Sequence, residues 1–477
     1  MSLVADLEAA LGRKAVISEP AALHTYECDG LTGHRAVPQA VVLPRSTAEV
    51  QAAVRVCAAH GAPFVARGAG TGLSGGAVPV AEGIVIGLAR MNRILDVDIG
   101  NRRVRVQPGV ANLDITRAVA PHGLFYAPDP SSQQVCTIGG NVAENSGGAH
   151  CLKYGFTSTH VLEVELVLAD GEVVRLDRTG ALDLAGAVVG SEGTLGIVTE
   201  IVVRVVPRPQ RVETLLAAFA STDAAGEVVS AVIAAGIVPA AVEMMDALTI
   251  QAAEAAVAAG LPREAGAALL IELDGPEAEV AACRGTVEEL CAAGGATEVR
   301  VAVDEAERAA LWRGRKAAFA AMGRVSPDYY VQDGVVPRTR LPQTLRRIAE
   351  LSEQHGLRVG NVFHAGDGNL HPLVLFDASV DGEAERAEVL AAQILEACVD
   401  AGGSLTGEHG IGVDKVCTMP WMFSEEDLAA MERLRRAFDP AGLCNPGKLL
   451  PTPRLCGEVP GPYRRHPLER EGVAERF

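Results

Sequence analysis

Aromatic side chains are scarce in this chain, only 4% of 477 residues. Proteins that hold single-stranded nucleic acid by stacking need aromatic platforms, so that class is disfavoured. Clustered positive charge is scarce too: 42 Lys plus Arg stand against 60 Asp plus Glu, a formal charge of −18. The densest basic patch, Arg464, Arg465 and Arg470, is diluted by Glu469 and Glu471. No basic stripe for a duplex is present, and no nucleic-acid partner is expected. Ten cysteines contain no C-x-x-C, and the closest two are Cys283 and Cys291. Iron–sulfur ligands are usually closely spaced, so a cluster in this chain is not expected. Free, mostly buried thiols in a reducing cytosol are. The N-terminal segment lacks a basic start and a long apolar run, which argues against a signal peptide. The apolar run 231–242 is short and broken by Gly236 and Pro239, so no integral membrane span is expected.

Apolar content is ample at 48%, and the length suits about two to four domains. Residues 3–12 have helical apolar spacing. A strand at 41–43 is followed by a Pro44-Arg45-Ser46-Thr47 turn and a helix at 49–59, with Ser46 and Glu49 spaced as a capping box. Short strands follow at 63–66, 84–87, 94–98 and 103–107, then a helix at 113–120. Residues 121–148 read as extended loop, rich in Gly, Asn, Ser and Pro. Asp170-Gly171 marks a hairpin between strands at 161–168 and 173–176, and a long strand is expected at 197–206. From Val212 the texture changes. Alanine-rich helices at 224–235, 248–259 and 276–293 alternate with strands at 213–218, 268–272 and 358–363, which suggests helices packed on an antiparallel sheet. Further helices are expected at 382–401 and 424–438.

Arg67-Gly68-Ala69-Gly70-Thr71-Gly72-Leu73-Ser74-Gly75-Gly76 contains five glycines. Such a loop brings backbone N–H groups close to phosphate oxygens. Gly70, Gly72 and Gly75 match G-x-G-x-x-G, but Gly76, Pro79 and Gly83 interrupt the helix that a Rossmann unit requires. Residues 130–148, with Gly139-Gly140-Asn141 and Asn145-Ser146-Gly147-Gly148, and the Gly190–Thr194 turn add two more polar glycine segments. Three in about 200 residues suggest one long ligand, a dinucleotide rather than a mononucleotide.

Phe363 to Pro372 reads F-H-A-G-D-G-N-L-H-P, and Thr406 to Asp414 reads T-G-E-H-G-I-G-V-D. His364 and His371 flank a strong turn, so a strand, a turn and a return can set both imidazoles on one side. With Glu408 they offer two nitrogens and a carboxylate, a set suited to Zn²⁺ or a similar ion with an open position. The plainer reading is polar turn residues satisfied by hydrogen bonds. His409 is a residue type that accepts protons near neutral pH. Arg313, Arg315 and Lys316 form a local basic cluster beside Trp312, suited to an anionic substrate.

Taken in order, P-x-S-T-x-E-V (Pro44 to Val50), the Arg67–Gly76 loop, P-D-P-S-S (Pro128 to Ser132), T-I-G-G-N (Thr137 to Asn141) and G-S-E-G-T-L-G-I (Gly190 to Ile197) resemble the FAD-binding domain of the vanillyl-alcohol oxidase superfamily. W-R-G-R-K-A-A-F (Trp312 to Phe319), S-P-D-Y-Y (Ser326 to Tyr330) and the two histidine motifs resemble its D-2-hydroxy-acid branch, most closely the flavin subunits of bacterial glycolate oxidases. The likeness spans residues 15–456.

The resemblance implies an α+β fold. A two-part FAD-binding domain occupies 1–210. An α/β cap on an antiparallel sheet, holding a metal site, occupies 211–415. A helical segment at 416–456 packs back on the FAD domain, and a polar tail follows at 457–477. It implies non-covalent FAD, with Arg67, Gly68, Ala69, Gly70, Thr71, Gly72, Ser74 and Gly75 at the pyrophosphate. Pro128, Asp129, Ser131, Ser132, Thr137, Gly139, Gly140, Asn141, Asn145, Gly147 and Gly148 line the flavin and the rest of the dinucleotide. Glu192, Gly193 and Ile197 lie close by. It implies His364, His371 and Glu408 as metal ligands, for Zn²⁺ first and Mn²⁺ or Fe²⁺ as alternatives. It makes His409 the general base and Arg315 the clamp for a substrate carboxylate. The reaction would oxidise a small 2-hydroxy acid, glycolate and also D-lactate, by proton transfer to His409 and hydride transfer to flavin N5, the metal polarising the hydroxyl. His371-Pro372-Leu373 replaces the H-L-N common in 2-hydroxyglutarate enzymes, which counts against a dicarboxylate. By likeness the partners are an iron–sulfur electron-transfer subunit and a further complex component. The expected location is the cytoplasm, peripheral to the inner membrane through those partners, and a homo-oligomer is left open. The alternatives are a dehydrogenase of D-lactate or of longer D-2-hydroxy acids, or a non-catalytic flavin-binding subunit.

Overall fold

The computed structural model describes residues 2–451. The basic patch and polar tail beyond them lie outside the described residues. Two compact units are present, one of residues 2–148, 155–208 and 408–451, the other of residues 149–154 and 209–407.

In the first unit, a four-stranded sheet has the order Val16–Ile17, Ala40–Val42, Ile84–Gly87, Phe64–Arg67. Its last three strands run parallel. Parallel neighbours need a crossover, supplied between Ala40–Val42 and Phe64–Arg67 by the helix Thr47–His60. Ser46 caps that helix by accepting from the Glu49 N–H, but the Glu49 carboxylate reaches back to the Arg45 N–H at 2.7 Å, one residue earlier than a capping box requires. The core holds Val50, Val54 and Cys57 of the helix against Phe64, Ile84 and Ile86 of the sheet. The late segment joins this sheet through a parallel bridge from Cys444 to Phe64. An antiparallel five-stranded sheet follows, ordered Ile94–Asp98, Arg103–Val106, Ile197–Arg204, Val161–Val167, Val173–Asp177.

The second unit is built on a nine-stranded antiparallel sheet. Its centre is Arg211–Phe219, Ala267–Gly275, Ala241–Asp246 and Val359–His364, in that order. Side chains on a strand alternate between faces. Here both faces are buried. Leu215, Ala217 and Phe219 enter one core with the helices Thr222–Ala234, Glu277–Ala293, Leu341–His355 and Glu383–Asp400. Leu216, Ala241, Met245 and Leu270 enter another with Ala247–Val257 and Glu305–Ala321.

The sequence reading holds for most strands and for the alanine-rich helices, and it fails where glycine or polarity masked an element. Ile138–Glu144 is a helix inside the stretch read as loop. Gly139 serves packing, since a Cβ there would meet Pro108 Cβ at 2.6 Å. Ala241–Asp246 is a central strand, while Glu305–Ala321 and Leu341–His355 are long helices that the motif-centred reading passed over. Among the described residues, eight cysteines are free, as expected.

Glu272 shows how this sheet tolerates charge. Its buried carboxylate accepts from Thr214 Oγ1 at 2.8 Å, Arg308 at 2.9 Å and Trp312 Nε1 at 2.6 Å, and pairs with His150 Nε2 at 3.0 Å. Burial pushes its pKa up, but His150, Arg308 and Trp312 outweigh that and bring it down from 4.5 to about 2. A carboxyl whose folded pKa is depressed adds stability above its unfolded value, and that stability is lost as pH falls through the folded value. The shift corresponds to on the order of 3 kcal/mol. Glu272→Gln is therefore expected to lower stability at neutral pH by roughly 2–3 kcal/mol and to flatten the acid limb between pH 4.5 and about 2. Urea denaturation at a series of pH values reads both; an unchanged midpoint and an unchanged acid limb would exclude the role.

Candidate active site

The glycine loop leaves the strand Phe64–Arg67. Among the described residues, no amide from Gly68 to Gly76 donates a hydrogen bond to another residue. The buried Ser74 Oγ likewise lacks a partner among them. Arg67 folds back over its own loop: Nη1 donates to Ala77 O at 3.3 Å, and a Cβ on Gly70 would meet Nη2 at 2.3 Å. The side chain thus braces the loop while the amides stay available. Gly70 and Gly75 have φ of +71° and +77°, a conformation that favours glycine.

The other two glycine segments come to the same place. A Cβ on Gly68 would meet Thr137 Oγ1 at 2.3 Å, and Thr137 caps the helix carrying Gly139, Gly140 and Asn141. Asn141 Oδ1 accepts from Asn112, which also donates to Pro128 O. Asn145 ends that helix in left-handed geometry, and Gly148 lies against the Asp129 backbone. The amides of Gly190 and Glu192 donate to Val142 O and Ala143 O, both at 2.8 Å. Ile197 packs instead into the apolar core, and Ser131 is exposed. An open row of amides beside converging glycine segments suits the pyrophosphate of a dinucleotide.

Within the same unit, the segment after His409 is stitched to this cradle. Ser74 O accepts from the amides of Val413 and Asp414, both at 3.1 Å. The Glu192 carboxylate accepts from the amides of Ile411 and Gly412, both at 2.7 Å. Asn445 Nδ2 ties Gly76 O to Glu192 O. Glu144 is half-buried with Oε2 sealed from solvent, and Gly410 has no room for a Cβ, which would lie 2.3 Å from Glu144 Oε2. Burial first, then the Glu192 charge, pushes the Glu144 pKa well above the usual carboxylate range. Burial raises Glu192 too, against the two amides and Lys448. The Lys448 ammonium is itself brought down to about 8 by burial, against the pull of Asp29, Glu192 and Glu144.

In the second unit, His364 ends the strand Val359–His364, Gly366 to Gly368 turn the chain, and His371 follows the short return strand Asn369–Leu370. Both imidazoles are buried, with ring centroids 5.1 Å apart and planes at 88°. Glu243 lies directly across the sheet from His364 in register. Its Oε1 is 2.7 Å from His364 Nδ1, and its Oε2 is 2.6 Å from Arg315 Nη2. Burial would raise the Glu243 pKa, but Arg315 and then His364 overcome it, and the net direction is down. Asp333 stands behind His371, 3.7 Å from Nδ1, and its Oδ2 accepts from Thr406 Oγ1 and the Gly407 amide. Arg313 and Lys316 are exposed on the helix that buries Arg315, and Lys316 lies over the Trp312 ring. Tyr329 is at the surface, Tyr330 packs against the core, and Leu373 is wholly buried in apolar contacts.

The residues that motif reading missed are Glu243 and Asp333 here, and Asp29, Glu144, Asn445 and Lys448 around the cradle. Glu243 left one signal, a single carboxylate inside the apolar run A-A-V-E-M-M.

Two family descriptions match this chain: an FAD binding domain over residues 38–177 and the C-terminal domain of FAD linked oxidases over residues 208–449. The glycolate oxidase subunit GlcD of Escherichia coli K12 is 52% identical over 92% of this chain and 89% of its own length. Its counterpart in Bacillus subtilis 168 is 42% identical over 89% of this chain and 91% of its own. Among solved structures, substrate-bound p-cresol methylhydroxylase superposes with a TM-score of 0.79 at 18% identity, covering 94% of this chain and 96% of its own. That likeness concerns the fold.

The histidine turn depends on Gly368. Its φ is +80°, and a Cβ there would lie 2.1 Å from Val336 O, a backbone atom that cannot swing aside. Gly368→Ala should cost about 2 kcal/mol or more, combining left-handed strain with the displaced backbone. A denaturation midpoint indistinguishable from the parent's would show that the turn relaxes freely.

Proposed function

Because the chain belongs to the FAD-linked oxidases, we propose that it oxidises a small 2-hydroxy acid, glycolate first and D-lactate second, to the 2-oxo acid. What carries this reading is the likeness to glycolate oxidase subunits, which runs through nearly the whole chain.

The residues divide the work as follows. The amides of Gly68–Gly76, with Thr137 to Gly148 and Gly190 to Gly193, hold FAD without a covalent bond. Arg315 pairs with the substrate carboxylate; its buried Nε has no hydrogen-bond partner among the described residues and is a donor still to be used. His364 and His371 are buried imidazoles with carboxylates behind them, an arrangement that suits metal ligation. Glu408, the next residue after the Gly407 that Asp333 anchors, is the third ligand in this reading, for a divalent ion, Zn²⁺ before Mn²⁺ or Fe²⁺. His409 takes the hydroxyl proton as the Cα–H bond breaks. Bound FAD supplies a two-electron acceptor at N5 for the hydride, and a bound divalent ion supplies Lewis-acid polarisation of the hydroxyl. Leu373, apolar and sealed in the core, favours a short substrate over a dicarboxylate.

The relatives are named as subunits, which supports a partner. With no closely spaced cysteines here, an iron–sulfur partner subunit would carry electrons onward. Among the described residues no helix is long and apolar enough to cross a membrane. A place in the cytoplasm, peripheral to the inner membrane through such partners, follows from this reading.

Anaerobic titration of the flavin absorbance with glycolate, D-lactate, L-lactate and D-2-hydroxyglutarate tests the assignment. Glycolate and D-lactate should bleach the flavin rapidly, and the other two slowly. A flavin bleached by none, even after divalent ion is added back, would overturn it in favour of a non-catalytic flavin subunit. His409→Gln should slow bleaching by about 10²–10⁴-fold with FAD content unchanged; a smaller effect would remove His409 from the base role.

A further inference from the structure

The Ala241–Asp246 strand alternates strictly. Val242 and Met244 enter one core, and Ala241 and Met245 enter the other. Glu243 therefore points into the second core, where packing alone would call for an apolar side chain. His364 emerges on the same face, because Val362 enters that core and Phe363 the opposite one. Arg315 comes from the helix Glu305–Ala321, in the stripe shared by Leu311, Trp312 and Ala318. Three elements thus each place one polar group at a single buried point, and Glu243 is the one that touches both others. A buried ion pair is seldom more stabilising than apolar residues of the same volume. Stability alone does not account for it.

We infer that Glu243 is a positioning residue that couples the metal-binding histidine to the substrate-binding arginine, through one carboxylate shared between them. This rests on the metal and clamp roles given above. Oε1 holds the Nδ1 edge of His364, which assigns ligation to Nε2 and fixes the ring plane. Oε2 forms an ion pair with Nη2 of Arg315 at 2.6 Å, without hydrogen-bond geometry, and its charge draws the guanidinium to this point. Any change that moves the carboxylate moves both groups, so metal affinity and substrate affinity depend on each other through it.

The test uses the FAD-loaded protein and Zn²⁺. Metal content and the rate of Zn²⁺ loss to a chelator are measured beside KM and kcat for glycolate. Glu243→Gln should weaken Zn²⁺ binding by about 10–100-fold, the effect typical of removing a hydrogen-bond partner of a ligating histidine. It should also raise KM about 10-fold or more, by freeing Arg315, with FAD content unchanged. Arg315→Met should weaken Zn²⁺ binding several-fold although Arg315 is no ligand, and should add little in the Glu243→Gln background, because the path is already cut. If Glu243→Gln does not accumulate as folded protein, Glu243→Asp keeps the charge, shortens the reach and should give an intermediate loss of Zn²⁺. Zn²⁺ retention within about 2-fold of the parent in the Glu243 variant, or an Arg315→Met effect of equal size in both backgrounds, would overturn the coupling. His364→Asn separates the two levels. If it leaves Zn²⁺ binding intact, the metal reading itself fails; if it abolishes binding while the Glu243 variant keeps it, only the coupling fails.

Discussion

Register is the constraint on which the second unit depends. Its sheet is buried on both faces, so a one-residue slip of a strand would exchange every side chain between two apolar cores. In most sheets such a slip exposes hydrophobes. Here it would also swing Glu243 and His364 away from Arg315, leaving charges with nothing to meet. The pairing of Ala241–Asp246 with Ala267–Gly275 over six residues, and with Val359–His364 over three, holds that register. The polar point is therefore a by-product of apolar packing: Val242, Met244, Val362 and Phe363 find their cores, and Glu243 and His364 are carried into contact.

A different economy operates around the glycine cradle of the first unit. There the backbone itself offers the open donors, and side chains serve mainly to keep it in place. Arg67 and Asp29 brace the loop, Asn445 ties it to Glu192, and Glu192 grips the two amides that follow Gly410. Carboxylates that hold amides tolerate burial better than bare ones, because the N–H dipoles offset part of the lost hydration. Glu192 has two such donors, whereas Glu144 faces it with burial and like charge as the leading influences. Both carboxyls are pushed up, and only Glu192 has amide donors to oppose the push.

Much of this was legible in the sequence, for physical reasons that differ by element. The strands Ile84–Gly87 and Ile94–Asp98 and the helix Glu425–Phe438 declare themselves through short-range signals: apolar runs, turn residues and the Ser424 cap. The glycine segments and the histidine turn are legible because glycines cluster there with Asn, Asp and Ser, and because histidine is rare, 11 residues in all. What stayed hidden depends on long-range pairing. Glu243 and His364 are 121 residues apart, and no local pattern links them. Glu192 and Ile411 are 219 apart. The helix Ile138–Glu144 was hidden for the opposite reason: its two glycines carry a strong local signal for turns, yet Gly139 is there because only a residue without a Cβ fits against Pro108.

Arg315 shows how motif and fold divide the information. The basic cluster names three cations within four positions, and nothing in the motif alone ranks them. A helix advances about 100° per residue, so Arg313 and Lys316 cannot share the direction of Arg315. The apolar phase set by Leu311, Trp312 and Ala318 decides which cation turns inward. Once inside, a guanidinium requires a counter-charge, and among the described residues the sheet presents Glu243 to it. One carboxylate then faces a guanidinium on one side and an imidazole on the other, which holds its pKa down despite complete burial. In the proposed roles, a histidine ligand held by that carboxylate is a stronger electron donor than one facing water, and an arginine held by it is oriented before substrate arrives, so less rotamer freedom is lost on binding. On that reading, a buried charge that would be a liability in an ordinary core preorganises two functions at once.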